Sequence, residues 1–129
     1  METTLTLGKV YINSTQGRMW PPNLNARMHW TKRSQWNREF KRQVWGLVME
    51  QRKKFGKIPY TKANVTITYY TCRPMDIDNF YSSAKPLVDG LTQAGVIVDD
   101  NQDCINFKVE HQKVFTLKEQ KTIIKITPL

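Results

Sequence analysis

The sequence predicts a single α+β domain over residues 1–129, with a small mixed β-sheet of about four to five strands and two main helices. Three observations support this fold class. The composition is 40% hydrophobic and 24% charged, which is ordinary for one globular domain of 129 residues. Apolar and polar residues alternate in several segments, as they do in half-buried strands. In two other segments apolar residues recur every three or four positions, as on the buried face of a helix.

The first half of the chain predicts a strand, an extended loop and a long helix. Apolar residues set among threonines over residues 5–12 indicate the strand. The Pro21-Pro22 pair then favours extended backbone, because a residue before proline avoids helical torsion angles. The helix is expected to begin at Ser34, whose side chain can cap it, and to end near Lys54. Its predicted buried face consists of Trp36, Phe40, Val44, Leu47 and Val48.

Alternating residues in the second half predict three further strands. The strand over residues 65–70 is half buried and leads the chain to Asp76. The same alternation over residues 105–111 and again over 124–126 predicts two closing strands, joined by residues 115–121. A second helix lies between these strands, with Ser82 or Ser83 as its cap.

Two residue types set the expected limits of that second helix. Pro86 has no backbone N–H to donate, so it belongs in the first turn. Gly95 is expected to end the helix, because glycine adopts the left-handed conformation of a helix C-terminus at little cost. The apolar run 96–98 then leads to a further strand end, directly before Asp99 and Asp100.

All six aspartates of the chain lie between residues 76 and 103, together with a single lysine, Lys85. This window has a net charge of −5 in a protein of net charge +9. Carboxylates at such density repel one another unless a cation or proton neutralises them, so the cluster suggests a hard divalent metal ion. Asp76 and Asp78 are expected at one strand end, and Asp99 or Asp100 at another.

Aspartates at this spacing also occur in polar turns, calcium-binding loops and phosphatase-like sites. A lone Asp-x-Asp is more often a polar turn that binds its own backbone. An EF-hand loop is excluded, because Phe80 and Tyr81 stand where a ligand and a glycine are needed. A phosphatase-like aspartate nucleophile would require a larger doubly wound sheet than this chain can form.

The positive charge is concentrated in residues 17–57, which contain eleven Lys and Arg but only two Glu. Four tryptophans are interleaved with these cations, and the sequence pI is about 9.7. Such segregation is typical of nucleic-acid binding, although a solvated basic helix has the same signature. The residues predicted to contact DNA are Arg27, Lys32, Arg33, Arg38, Lys41 and Arg42.

Further sequence features bear on location and redox chemistry. Every apolar run is shorter than the roughly 18 residues of a transmembrane helix, and the N-terminus lacks the basic start of a signal peptide. We therefore expect a cytoplasmic protein with no membrane partner. Cys72 and Cys104 have no metal-binding or CxxC spacing, so both are expected to be reduced, buried thiols.

Four segments follow one another in a fixed order: Asp76-Ile77-Asp78-Asn79, Lys85-Pro86-Leu87-Val88-Asp89-Gly90-Leu91, Ala94-Gly95-Val96 and Asp99-Asp100-Asn101-Gln102. They resemble the motif series of the RusA family of Holliday-junction endonucleases, small dimeric proteins often carried by phages and prophages. The upstream segment Trp20-Pro21-Pro22-Asn23-Leu24-Asn25 resembles the Pro-Pro-x-x-Asn motif of that family. Together the segments span residues 20–103, so the resemblance covers most of the chain.

The resemblance implies a RusA-like fold and a metal-dependent, structure-selective endodeoxyribonuclease that resolves four-way (Holliday) DNA junctions in recombination and repair. Its cofactor would be Mg²⁺, or Mn²⁺ in its place. The implied site residues are Asp76, Asp78 and Asp100 as metal-binding catalytic carboxylates, Lys85 as catalytic base or phosphate-contacting cation, and Asp89 and Asp99 as supporting acidic residues. Lys85 and Asp89 also lie four residues apart on one face of the second helix, so the alternative role of Lys85 is an ion pair with Asp89. Where the family has a basic run, this chain has only Arg73-Pro74-Met75, so DNA contacts would depend on the region from Arg27 to Arg42.

A metal ion on these carboxylates would neutralise a scissile phosphodiester and activate a water for in-line attack, which leaves 5′-phosphate and 3′-hydroxyl ends. A four-way junction has two equivalent strands to cut, so a homodimer is expected. The alternative is a non-catalytic module that binds branched DNA and whose acidic cluster is a structural or vestigial metal site. Turnover separates the two functions, because both include binding.

Overall fold

The structure is a computed structural model that describes residues 2–13, 15–23, 25–73 and 76–129. Over these residues the chain forms a four-stranded mixed sheet, a separate two-stranded sheet and three α-helices, which confirms the predicted α+β class. The strands are β1 (Thr3–Leu7), β2 (Val10–Tyr11), β3 (Gly17–Arg18), β4 (Ala63–Thr71), β5 (Ile105–Lys113) and β6 (Lys121–Pro128). The helices are α1 (Trp30–Glu50), α2 (Arg52–Phe55) and α3 (Ile77–Gln93), with a 3₁₀ turn at Leu117–Glu119.

The main sheet has the strand order β1-β6-β4-β5. β6 pairs antiparallel with both β1 and β4, whereas β4 and β5 are parallel from Ala63 opposite Ile105 to Thr71 opposite Lys113. Parallel neighbours require a crossover connection, and α3 supplies it between β4 and β5. The chain therefore leaves the carboxyl end of β4, enters α3, and returns to the amino end of β5.

The core lies between one face of the sheet and the two long helices. The alternating residues Val65, Ile67 and Tyr69 of β4 are fully buried, as the period-two pattern predicts. They belong to one apolar cluster with Phe40 of α1 and Leu87 of α3. Full burial of each large apolar side chain stabilises the fold by about 1.5–3 kcal/mol, so this cluster fixes both helices on the sheet.

The helices α1 and α3 approach closely where Gly90 of α3 faces α1. A Cβ atom built on Gly90 would lie 2.9 Å from Cβ and 3.1 Å from Cγ1 of Val44. Neither atom is the end of a flexible side chain, so the helices would have to separate to accommodate it. Glycine is thus required at this position by packing.

Gly90→Ala should destabilise the protein, and Gly46→Ala should stabilise it. Overpacking costs about 1–3 kcal/mol, which exceeds the gain of about 1 kcal/mol in helix propensity at Gly90. Gly46, in α1, has nothing within 4 Å of its built Cβ, so only the propensity gain applies there. Urea unfolding of the two variants measures both effects. A stabilised Gly90→Ala variant would contradict the close packing of the helices.

The predicted N-cap of the first helix, Ser34, was wrong by five residues. α1 begins at Trp30, because extended His29 serves as its N-cap and the His29 ring Nδ1 accepts a 3.2 Å hydrogen bond from the Thr31 N–H. Ser34 therefore lies inside the helix. At the other end, Gln51 interrupts the helix with non-helical torsion angles, and the separate turn α2 follows.

The predicted start of the second helix was also wrong. α3 begins at Ile77, and the Ser82 and Ser83 hydroxyls donate to backbone carbonyls three residues earlier instead of capping the helix. Pro86 therefore lies inside the helix and not in its first turn. The predicted end was correct, because Gly95 has φ +80° and a Val96 N–H to Leu91 carbonyl bond of 3.0 Å closes the helix.

Tertiary packing explains why α3 extends upstream of the proline. Phe80 is buried and stacks between Tyr69 of β4 and His111 of β5, with ring centroids 5.3 and 5.2 Å apart. The Tyr69 hydroxyl also bonds the Ser83 hydroxyl at 2.8 Å in the core. These contacts hold the first turns of α3 on the sheet and offset the missing proline N–H.

Two predicted strands differ from the structure. The segment 96–98 is not a strand, because over the described residues it forms only a single parallel bridge, between Tyr60 and Ile97. Asp99 and Asp100 therefore follow a turn-like connection and not a strand end. The strand predicted over residues 5–12 is interrupted after Leu7, so β1 and β2 belong to different sheets.

Candidate functional site

Two carboxylates lie at the amino end of α3, just past β4. Asp76 occupies the N-cap position, and its backbone carbonyl accepts bonds of 2.9 and 3.1 Å from the N–H groups of Asn79 and Phe80. Among the described residues its side chain makes no capping bond, and Asp78 follows in the first turn. Both side chains are exposed. Both carboxylates are therefore accessible to a cation from solvent.

A hydrogen bond of 2.7 Å joins Asn25 Nδ2 to Asn79 Oδ1, across 54 residues of sequence. The Pro-Pro segment and the Asp-x-Asp-Asn segment, both singled out in the sequence, therefore meet at the start of α3. The Asn25 N–H also donates to Asn23 Oδ1 at 2.8 Å, which shapes the loop that presents Asn25. Leu24 of the same segment lies outside the described residues, as do Pro74 and Met75.

Arg33 of α1 and Arg18 of β3 donate hydrogen bonds to the loop before α1. Arg33 donates to the backbone carbonyls of Asn23 and Ala26, the latter at 2.8 Å. Arg18 donates to the Trp20 carbonyl at 3.2 Å, and its guanidinium lies 5.8 Å from the centre of the Trp36 ring. Burial, and then the charge of Arg33, lower the pKa of Arg18. Arg33 was predicted to contact DNA, but its described contacts are with the loop.

A second group of charged side chains surrounds Lys85, one turn before Asp89 on α3. Lys85 Nζ donates to Asp89 Oδ1 at 2.8 Å and also to Asp100 Oδ2. The hydrogen bond to Asp100, followed by the one to Asp89, raises the pKa of Lys85. The same Lys85 contact lowers the pKa of Asp100. Lys85 therefore supplies positive charge to two of the carboxylates, and the ion pair predicted between Lys85 and Asp89 is present.

Asp99 shapes the turn that carries Asp100. Its Oδ1 accepts the Asp100 N–H at 2.7 Å, and its Oδ2 accepts Asn101 Nδ2 at 3.1 Å. Asn101 Oδ1 in turn accepts the N–H groups of Asp103 and Cys104 at 2.9 and 3.1 Å. Such local bonds are typical of Asx turns. Asp99 thus shapes the turn one residue before the carboxylate that contacts Lys85, and its supporting role at a metal site stays a prediction.

The two acidic groups lie along one side of α3. Asp78, Lys85 and Asp89 are seven and four residues apart, which places them on one helix face. The helical rise separates Asp78 from Lys85 by roughly 10 Å along the axis, and helical side chains lean toward the amino end. Over residues 2–13, 15–23, 25–73 and 76–129, no three His, Cys, Asp or Glu are placed to hold one metal ion together.

The carboxylates nevertheless suit a hard divalent cation chemically. Oxygen donors are what Mg²⁺ prefers, and it keeps several waters while binding one or two carboxylates. Asp76 and Asp78 form no ion pair with any residue that the structure describes. Asp100 would join such a site only when its contact with Lys85 changes. The structure brings Asp100 to Lys85 and Asp76 to Asp78, while the two pairs stay separate.

The remaining basic residues predicted to contact DNA lie on or near α1. Arg27 is exposed before the helix begins, and Lys32 Nζ donates to Gln16 Oε1 at 2.7 Å. Arg38, Lys41 and Arg42 line one surface cavity on the outer side of the helix. These three line one cationic surface, although Arg42 also contacts Glu39 at 3.5 Å. Lys32 and Arg33 have their partners elsewhere in the protein.

Two further predictions from the sequence concern location and thiols. No helix in the described part of the chain is long and apolar enough to cross a membrane. Cys72 and Cys104 are free thiols, as predicted, but they are half-buried and not fully buried. The supporting roles of Asn25 and Arg18 were missed, because only the folded chain brings them to their partners.

Models of known protein families give no match to the chain. A search of curated proteins likewise gives no significant match. Any functional assignment therefore rests on the motif series and on the arrangement of the residues described above.

Proposed function

We propose that the protein is a Mg²⁺-dependent endodeoxyribonuclease that cleaves four-way DNA junctions, with the RusA-like motifs forming its active site. The observation that carries this proposal is the 2.7 Å bond between Asn25 and Asn79. It joins two segments of the motif series that are 54 residues apart in sequence, and it does so beside Asp76 and Asp78. Two chance matches that lie so far apart in sequence would have no physical reason to meet at one helix N-terminus.

Asp76, Asp78 and Asp100 are the proposed metal-binding residues. When bound, Mg²⁺ would neutralise the scissile phosphate and lower the pKa of a water. Asn25 holds Asn79, and so fixes the first turn of α3 on which both carboxylates lie. Asp99 fixes the turn that presents Asp100. These bonds fix the two segments that carry the carboxylates, and binding of one ion by all three would require Asp100 to leave Lys85 and approach Asp78.

Lys85 is the proposed phosphate-contacting cation. Its ammonium donates to Asp89 and Asp100, so it is a protonated donor and not a free base. The side chain is 59% exposed, and an ammonium has three donor hydrogens. Lys85 can therefore keep its hydrogen bond to Asp89 while it donates a second hydrogen bond to a phosphate oxygen. A cation at that place stabilises the charge that develops on phosphorus or on the leaving oxygen.

Cleavage of a labelled four-way junction in Mg²⁺ or Mn²⁺, with a chelator as control, tests this function. Symmetric nicks that leave 5′-phosphate ends would support it. Binding without any cleavage would favour the alternative, a non-catalytic module for branched DNA. One observation favours that alternative: Lys85 supplies positive charge to both Asp89 and Asp100.

A homodimer is the proposed assembly, and sedimentation at micromolar concentration tests it. A four-way junction has two equivalent strands at symmetric positions, and one site in a domain of this size cannot reach both. We expect a mass of twice 15.2 kDa. A strict monomer that still converts junctions into paired nicked duplexes would contradict the proposed assembly.

A further inference from the structure

A surface cavity lined by α1 and the carboxyl end of α3 differs from the rest of the basic surface. Its volume is about 540 Å³, which falls within the range of roughly 300–1,000 Å³ found for ligand sites. Six of its residues come from α1, and one comes from the carboxyl end of α3. They are Ser34, Asn37, Arg38, Lys41, Arg42, Trp45 and Gln93.

The charge of the cavity suits a phosphate. Arg38, Lys41 and Arg42 line it, and no carboxylate is among the described residues of its wall. Glu39, the nearest acid in sequence, contacts Arg42 at 3.5 Å from outside the cavity. An anion in the cavity therefore meets three cations and no repelling carboxylate of the lining.

Trp45 adds an aromatic surface to the same cavity. Its side chain is 51% exposed, whereas Trp36 on the same helix is only 4% exposed and packs in the core. Trp45 lies four residues after Lys41 and seven after Arg38, so the ring and the cations share one helix face. A ring beside phosphate-binding cations is the arrangement by which proteins stack unpaired bases.

Amide and hydroxyl groups complete the lining. Asn37, Gln93 and Ser34 offer donors and acceptors, which pair well with the edges of bases. Asn37 Oδ1 is shielded from solvent and has no hydrogen-bond partner among the described residues. An unsatisfied buried polar atom destabilises a protein, so a ligand that donates a hydrogen bond to Asn37 Oδ1 would be favoured.

We infer that this cavity binds one unpaired nucleotide of a DNA strand. The base stacks on Trp45 and faces the amides of Asn37 and Gln93, while its phosphates contact Lys41 and the neighbouring arginines. Bases within a duplex are already stacked and paired, so they cannot occupy the cavity. The inference rests on the proposed function for its DNA partner, and it adds a preference for DNA with exposed bases, such as a branch point.

Trp45→Ala should weaken binding of a single-stranded oligonucleotide by about 5-fold to 150-fold, as expected for the loss of one base stack. Binding of a duplex of the same length should change less than about twofold, because its phosphate contacts remain. Trp30→Ala is the matched control, since Trp30 is a 69% exposed tryptophan of the same helix outside the cavity. Fluorescence anisotropy of end-labelled DNA measures the affinity of the unchanged protein and of both variants.

The phosphate contacts have a separate readout. Lys41→Ala combined with Arg42→Ala should flatten the plot of log affinity against log salt by about 0.7–0.9 per lost contact, for single strands and duplexes alike. Trp45→Ala should leave that slope unchanged. Because neither measurement uses cleavage, a protein that binds as expected but cuts nothing would overturn the nuclease proposal and support this site.

Several outcomes would overturn the inference. Equal losses in Trp45→Ala and Trp30→Ala would show that the cavity has no special role. An equal loss of duplex binding in Trp45→Ala would assign the ring to a general DNA surface. Binding of a free deoxynucleotide without binding of a single strand would exclude a strand as the ligand, and a failure to bind any DNA would overturn both proposals.

Discussion

Asp76→Asn, Asp78→Asn and Asp100→Asn should each abolish junction cleavage in Mg²⁺ while leaving junction binding intact. Asparagine keeps the size of the side chain but removes the charge that binds the ion and lowers the pKa of its water. Binding can even tighten, because one negative charge near the DNA backbone is lost. Gel cleavage assays and anisotropy on the same junction measure the two effects separately.

Asp103→Asn is the control for these variants. Asp103 is exposed, and its backbone N–H bonds Asn101 Oδ1 at 2.9 Å, so the turn does not depend on its carboxylate. Cleavage by this variant should remain close to that of the unchanged protein. If Asp103→Asn is as damaging as the other three, or if those three retain near-normal cleavage, the metal assignment is wrong.

Lys85→Met should lower the cleavage rate by about 10²-fold to 10³-fold, the effect of removing one group that stabilises a charged transition state. Metal binding should respond in the opposite direction. Asp89 and Asp100 lose their cationic partner in this variant, so Mn²⁺ should bind at least as tightly as to the unchanged protein. Calorimetric titration with Mn²⁺, in the absence of DNA, measures this second effect.

Lys85→Arg tests whether a positive charge at this position is sufficient or whether the shape of the lysine ammonium is also required. Arginine keeps the positive charge and the contacts to both carboxylates, but its planar group is larger and donates in fixed directions. We expect partial cleavage and unchanged Mn²⁺ affinity. Equal cleavage by Lys85→Met and the unchanged protein would show that Lys85 acts only through its ion pairs with Asp89 and Asp100.

The parts of the fold that could be predicted from sequence are those in which residues repeat at a regular local spacing. β4, β5 and β6 were predicted, because one buried face imposes alternation on each strand. The contact of Lys85 with Asp89 was predicted for the same reason, since residues four apart adjoin on any helix. Gly95 was predicted to end α3, because few other residues tolerate its positive φ.

The parts that did not follow depend on contacts between distant segments. The start of α3 is set by Phe80 stacking between two strands, which no feature within the helix reveals. Asn25 reaches Asn79 only after the loop before α1 folds against α3. Asp100 was predicted to bind metal, yet whether it would face Lys85 depends on a turn fixed by Asp99. Local sequence patterns contain none of this information.

The position of β6 in the sheet has a consequence for how the chain folds during its synthesis. β6 is the last strand in sequence, but it lies between β1 and β4 and pairs with both. While a ribosome extends the chain, β1 remains unpaired until residues 121–128, which form its partner β6, have emerged. The core can therefore close only after nearly the whole domain is available, and pairings of such long sequence separation form slowly. A nascent chain stalled before Lys121 would expose the apolar side of β1 and β4 to chaperones and proteases.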